Sequence, residues 1–182
     1  MKLEDDIKHV LFTEDELDII ISRLAKQISE DYKDRKLLLV SVLKGSVIVM
    51  ADLMRKITIP CEIDFMAVSS YGNKTKSSGT VRIIKDLDRD ILGYDILIVE
   101  DILDSGRTLS YIEDILFARN PNSIRVCTLF DKPNMRQVDM TAEYIGAQVP
   151  DEFIVGYGLD YAEKYRNLPF VGVLKDELIK KG

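Results

Sequence analysis

Apolar residues in this chain recur first at helical and then at strand spacing. Leu17, Ile20, Ile21, Leu24 and Ile28 fall three and four apart, the spacing of one helix face. Thr13 and Glu16, just ahead, have the capping-box separation, so the pattern predicts an amphipathic helix ending near Tyr32. The unbroken apolar run from Leu37 to Leu43 predicts a buried strand, interrupted by Lys44-Gly45-Ser46. Residues 47–57 then predict a helix, 61–68 and 81–85 two more strands, and 96–99 another. A helix over 110–119, a strand over 124–130 and short late strands at 153–155 and 171–174 complete the pattern.

Apolar strands alternating with helices predict an α/β fold: a mainly parallel, twisted sheet covered by helices on both faces. Ligands of such sheets bind at the carboxyl ends of the strands. The breaks after Leu43, Val99 and Phe130 are therefore expected to face one crevice. Each carries charge: Lys44, then Glu100 and Asp101, then Asp131 and Lys132. There is no internal repeat, low-complexity tract or linker, so residues 1–182 are expected to form a single domain. Residues 69–80 stand apart, being polar, cationic and without apolar periodicity. They read either as a solvated hairpin loop or as a flexible lid, with Gly72 and Gly79 permitting closure and Tyr71 covering a ligand.

Composition narrows the function classes. The chain has 182 residues, 46% hydrophobic and 31% charged, which is ordinary for a globular protein. Its net charge of −6 disfavours nucleic acid as a partner, since phosphate-backbone binding needs a basic face. No apolar stretch approaches the roughly 20 residues of a membrane span. The first residues lack the basic start and apolar run of a signal peptide, so a cytoplasmic location is expected. Cys61 and Cys127 are isolated and are expected to be reduced core residues. His9 is the only histidine, and it is expected to be structural or exposed rather than catalytic.

The densest chemistry lies between Ile96 and Thr108. An apolar run ends in Glu100 and Asp101; Asp104 follows, then Ser105-Gly106-Arg107-Thr108 at the start of a helical pattern. Neighbouring side chains on a strand point to opposite faces, so both acids can face the crevice only if the strand ends before them. If they converge they repel, by roughly 4 kcal/mol at about 4 Å and an intermediate dielectric. A Mg²⁺ ion or a pair of sugar hydroxyls would remove that cost. A helix start offers unpaired N–H groups and a positive dipole end for a phosphate, and Gly106 lets the backbone come close. The blander readings are a solvated acidic turn and an ordinary helix cap. A carboxylate at Asp104 can also accept a proton from a nucleophile attacking a sugar carbon. Motifs for a P-loop, a dinucleotide site or a zinc hydrolase are missing.

Residues 96–109 resemble the phosphoribosyl-pyrophosphate motif of the type I phosphoribosyltransferases. Val42-Leu-Lys-Gly-Ser46, Ser70-Tyr71, Asp131-Lys-Pro133 and Val149-Pro-Asp-Glu-Phe-Ile-Val-Gly-Tyr-Gly-Leu-Asp-Tyr161 resemble the 6-oxopurine branch, in its order and spacing. The resemblance runs from about residue 8 to about residue 175. It implies the fold of that family, with a core over about 10–150, a small hood from the N-terminal segment and about 151–182, and a lid over 69–80. It implies transfer of 5-phosphoribose from phosphoribosyl pyrophosphate to hypoxanthine or guanine, with Mg²⁺, by a dimer or tetramer.

Residue roles follow from the same resemblance. Glu100 and Asp101 hold the ribose hydroxyls and a Mg²⁺, and Asp104 is the general base near purine N7. Ser105, Gly106, Arg107 and Thr108 cradle the 5′-phosphate. Lys44 and Gly45 bind pyrophosphate, through a peptide bond that is cis in the family. Ser70 and Tyr71 belong to the lid. Lys132 donates to purine O6, Phe153 stacks on the base and Ile154 meets it through its backbone. Asp160 supports a second Mg²⁺ through water, and Arg166 reaches pyrophosphate. Ser105 and Arg107 stand where other members carry Thr and Lys or an apolar residue. Ser46 replaces a second glycine of some members and would tune pyrophosphate affinity. Two rivals remain. A regulatory protein on the same scaffold is disfavoured by the net charge and by the lack of an appended DNA-binding domain. A receiver domain would carry its acid pair after the first strand of the sheet.

Overall fold

In the computed structural model, residues 3–70 and 81–179 are described. The first helix, α1 (Glu14–Asp31), starts at a capping box: Thr13 N–H donates to Glu16 Oε2 at 2.8 Å and Glu16 N–H to Thr13 Oγ1 at 3.3 Å. Its apolar stripe buries Leu17, Ile21, Leu24 and Ile28. The central sheet, among the described residues, has six strands in the order β4-β3-β2-β5-β6-β7. These are β2 (Leu37–Leu43), β3 (Cys61–Ser70), β4 (Val81–Lys85), β5 (Asp95–Leu103), β6 (Ser123–Asp131) and β7 (Tyr144–Gln148). All neighbours are parallel except the antiparallel pair β3 and β4. A second sheet of three antiparallel strands joins β1 (Ile7–Phe12), β9 (Val171–Leu174) and β8 (Ile154–Val155).

Strand alternation sends the core to both faces of the large sheet. Leu37, Leu39, Leu97, Val99 and Leu129 pack with α1 and with α2 (Val47–Lys56). Leu38, Val40, Ile96, Ile98 and Val126 pack on the other face with Leu109, Ile112 and Leu116 of α3 (Arg107–Phe117). Each fully buried side chain of this kind contributes about 1.5–3 kcal/mol, so two covered faces explain why β2 and β5 are apolar throughout their centres. Cys127 lies in this core, and Cys61 is half-buried beside it; both are free.

The chain passes from β2 outward to β3, then returns to add β5 on the other side of β2. Strand order reverses between β2 and β5, and the gap left between their carboxyl ends is where such sheets bind ligands. Two strands were not foreseen. β1 is an edge strand with three exposed residues, so its apolar alternation is weak. β7 contains Gly146, which reads as a breaker in sequence. A Cβ at Gly146 would lie 2.3 Å from the Leu129 carbonyl oxygen, so close packing against β6 requires the glycine.

Candidate active site

A crevice of about 330 Å³ opens at the carboxyl ends of β2 and β5. Lys44 and Gly45 enter it from the β2–α2 turn, Glu100, Asp101 and Asp104 from β5 and its loop, Gly106 and Thr108 from the start of α3. Asp160 and Arg166 close it from the segment between β8 and β9. Ser105 and Arg107 flank this wall rather than line it.

The β2–α2 turn carries a cis peptide bond between Leu43 and Lys44. A Cβ at Gly45 would fall 1.9 Å from Asp101 Oδ2, so the bare backbone is what lets the carboxylate lie against this turn. Gly158, at φ +100°, presses in from the other side: a Cβ there would meet the Gly45 carbonyl oxygen at 2.0 Å. Lys44 is exposed, and its Nζ lies 3.1 Å from Glu163 Oε2. Ser46 does not address an anion. It is buried, its hydroxyl donating to the Val42 carbonyl at 2.5 Å and lying 2.7 Å from Ser41 Oγ. It closes the turn from within, beneath the residues expected to meet pyrophosphate.

The expected end of the strand before Glu100 is also corrected. β5 runs on to Leu103, with Glu100 opposite Thr128 and Ile102 opposite Phe130, and without a pair at Asp101. The Asp101 carboxylate turns back to accept from the Ile102 N–H at 2.8 Å. Both acids line the crevice although they are adjacent in one strand. Burial, reinforced by the Asp101 and Asp104 charges, holds the Glu100 carboxyl well above the usual carboxylate range. Burial likewise pushes Asp101 up to about 6, against the opposing pull of the Ile102 N–H and of Arg166. Two desolvated carboxylates with no ion-pair partner among the described residues fit one divalent cation that keeps several waters and gains phosphate oxygens. Asp160 is engaged differently, by Arg166 Nη2 at 2.8 Å and by the Glu163 N–H at 2.9 Å. Among the described residues no cluster of three or more acid, histidine or cysteine side chains forms a cage.

Asp104 is exposed and does not cap α3. Its Oδ1 accepts from the Ser105 N–H at 2.5 Å, while the N-cap is Gly106 at φ +77° with no side-chain bond. The first turn of α3 thus presents its N–H groups without a carboxylate in front of them, as an anion site requires. Gly106 also sits under a lid of side chains: a Cβ there would lie 3.0 Å from Val138 Cγ2.

The expected base-contacting residues Lys132, Phe153 and Ile154 do not line this crevice; they lie just after β6 and at the start of the small sheet's β8. Lys132 follows β6, half-buried, with Nζ donating to the Glu152 carbonyl at 2.7 Å. Burial lowers its pKa below the ordinary lysine value. Phe153 lies in an apolar run that suggests core, yet it is 40% exposed, edge-on to Tyr161 with ring centroids 5.2 Å apart. Ile154 is buried in β8 opposite Val173. Ser70 is the last residue of β3, and Tyr71 with the rest of the expected lid lies outside the described residues.

Two residues escaped sequence reasoning. Glu163 pairs with Lys44 and, at 3.5 Å, with Arg166. Arg136 joins the Asp131 carboxylate to the Asp104 carbonyl. Glu163 sits among the mixed charges of 160–166 and Arg136 in a polar turn, and neither carries a spacing signal.

Known proteins match this chain along nearly its whole length. The model of the phosphoribosyl transferase domain family matches residues 12–162. A hypoxanthine-guanine phosphoribosyltransferase of Streptococcus mutans is 53% identical over 98% of this chain and 99% of its own. The crystal structure of a hypoxanthine phosphoribosyltransferase from Staphylococcus aureus superposes with a TM-score of 0.93 at 49% identity, covering 96% of this chain and 95% of that one. A hypoxanthine-guanine phosphoribosyltransferase from Bacillus anthracis superposes with a TM-score of 0.88 at 48% identity, covering 93% and 99%. The family model spans most of the chain and relatives at about half identity span nearly all of it: the chain belongs to the phosphoribosyl transferase domain family.

Proposed function

We propose that this chain transfers the 5-phosphoribosyl group of phosphoribosyl pyrophosphate to hypoxanthine or guanine, giving IMP or GMP and pyrophosphate, with Mg²⁺ as its metal. The observation that carries this reading is the meeting of the unneutralised Glu100–Asp101 pair with the uncapped start of α3 in one crevice. A ligand that satisfies both must bring hydroxyls or a cation to one side and a phosphate to the other.

The 5′-phosphate sits at the N–H groups of residues 106–108, with the Ser105 and Thr108 hydroxyls and the Arg107 charge beside it. Glu100 and Asp101 take the ribose hydroxyls and a metal. Mg²⁺ bound there supplies charge neutralisation for the departing pyrophosphate. Lys44 and Arg166 meet the pyrophosphate oxygens; in the free protein they are paired with Glu163 and Asp160, which marks that end of the crevice as anion-seeking. Asp160 supports a second metal through water. As the bond from the sugar carbon to pyrophosphate breaks and the bond to purine nitrogen forms, the Asp104 carboxylate takes the proton from N7. Lys132 donates to O6. Adenine offers an amino donor there, and two donors face to face lose the hydrogen bond, at a cost of roughly 1–3 kcal/mol. Phe153 presents its exposed ring to the base, and Ile154 meets the base through its backbone. The small sheet acts as a hood over the base, and Ser70 and Tyr71 take the part of lid residues. The reading carries with it a cytoplasmic location and assembly as a dimer or tetramer; Ile84, Leu92 and Phe117 are exposed apolar side chains of the kind subunit contacts cover.

Steady-state turnover of each purine base with phosphoribosyl pyrophosphate and Mg²⁺ tests the reading. Pyrophosphate release with hypoxanthine or guanine, and far less with adenine, is expected. Silence with both oxopurines would sink it.

A further inference from the structure

We propose that Arg136 is a positioning residue that locks the loop bearing Asp104 and the loop bearing Lys132 into one register. This rests on the proposed function, in which both side chains meet the same purine, one at N7 and one at the neighbouring O6. The two loops leave adjacent parallel strands, and the last ladder pair before them is Leu103 opposite Asp131. Past that pair the strands no longer hold each other in line. Three bonds take over. Lys132 N–H donates to the Leu103 carbonyl at 2.9 Å, and Gln137 N–H to the Ser105 carbonyl at 3.0 Å. The third is the Arg136 guanidinium, donating through Nη1 to the Asp104 carbonyl and through Nη2 to the Asp131 carboxylate.

The chain delivers Arg136 to this place by a short 3-10 turn, Pro133–Met135, which folds back from Lys132. Its side chain is only 16% exposed and that of Asp131 only 7%, so the pair is shielded from solvent competition. Its stem also packs on the α3 cap, since a Cβ at Gly106 would lie 3.2 Å from Arg136 Cδ. A planar fork can grip two acceptors at a fixed angle, which the single ammonium of lysine does not do. One bond ends on the residue proposed to take the proton; the other ends beside the lysine proposed to choose the base. A shift of one loop against the other would leave a bound purine correctly seated at one contact and displaced at its neighbour.

The test compares the wild type with R136M, R136K and the double variant D131N/R136M. Wild-type turnover of hypoxanthine is measured first; its failure tells against the proposed function, independently of anything the variants do. R136M and R136K are expected to lower kcat with hypoxanthine by tenfold or more, as small misplacements at reacting groups do, while KM for phosphoribosyl pyrophosphate stays within about threefold. The preference for hypoxanthine over adenine should narrow in parallel. The double variant separates register from mere stability, because it leaves no orphaned carboxylate in the interior. It should melt like the wild type and remain slow. Wild-type kcat in R136M, or recovery of kcat together with melting temperature in the double variant, overturns the proposal.

Discussion

The proposed phosphate side of the site is one continuous stretch, Glu100 to Thr108, at the end of a single strand and the start of a single helix. The proposed purine side is assembled from pieces: Lys132 behind β6, and Phe153 with Ile154 at the entry to the small sheet. The difference shows in how the charged groups are held. On the phosphate side two buried carboxylates have no ion-pair partner among the described residues and only the longer-range pull of Arg166 on Asp101, so the site is left short of positive charge. On the purine side Lys132 already donates to a backbone carbonyl and Phe153 already rests on Tyr161. On the proposed reading, the first side is built for charge that arrives with the substrate. The second is built for shape and one hydrogen bond. Removing the chemistry of the first should therefore cost far more than removing the selectivity of the second.

The largest expected effect tests the continuous stretch. Asp104→Asn keeps the size of the side chain and removes a carboxylate that is exposed toward the crevice. General-base catalysis contributes about 10²–10⁴-fold, so kcat with hypoxanthine should fall by that order. The affinity for phosphoribosyl pyrophosphate, titrated without the base, should change little, because the phosphate cradle is made by backbone N–H groups and hydroxyls. An unchanged kcat removes Asp104 from the proton-accepting role and makes the two sides equal in kind.

A smaller effect tests the assembled side. Lys132→Ala deletes the donor proposed to face O6, and the expected loss is confined to base selection. The ratio of kcat/KM for hypoxanthine over adenine should drop by roughly tenfold to a hundredfold, the equivalent of one buried hydrogen bond. KM for phosphoribosyl pyrophosphate should hold. If it rose along with the loss of selectivity, the two sides would not be separable, and the contrast drawn between them would fail.

The same contrast explains what was legible in the sequence. Val171–Leu174 and Leu37–Leu43 stand as their apolar runs predict, because runs buried on both sides leave no alternative. The proposed phosphate side could be put forward from the sequence because its residues are contiguous and a strand-to-helix junction sets their spacing. Its detail could not. Acids inside a strand read as its end, whereas β5 continues through them. Asp104 read equally well as a cap, and only the backbone at Gly106 shows that it is not one. Phe153 in an apolar run reads as core, since nothing local reveals that the small sheet leaves it exposed. Arg136 and Glu163 reach partners tens of positions away, Asp104 and Lys44, and no local periodicity encodes such a partner.

The smallest expected effect concerns stability rather than rate, and it sharpens the idea of a side left wanting charge. Burial raises Asp101 to about 6 in the folded chain, above the ordinary aspartate value of the unfolded one. Between about pH 4 and pH 6 the folded protein therefore holds a proton that the unfolded protein has released. The sign follows: this group's contribution is most favourable below about pH 4, declines as pH rises to about 6, and stays unfavourable above. The two-unit gap corresponds to about 3 kcal/mol at most, and to about 1–2 kcal/mol once water in the crevice is allowed for. Asp101→Asn in metal-free buffer should thus raise the melting temperature at pH 8 by roughly 2–8 °C, at the 2–4 °C per kcal/mol usual for chains of this length. At pH 4 the variant and the wild type should melt together. Mg²⁺ should raise the wild-type melting temperature at pH 8 more than at pH 4, since a cation and a proton compete for the same carboxylate, and should do so less in the variant. Equal shifts at both pH values would mean that the charge of Asp101 is already neutralised within the chain, and the phosphate side would then be as self-contained as the purine side.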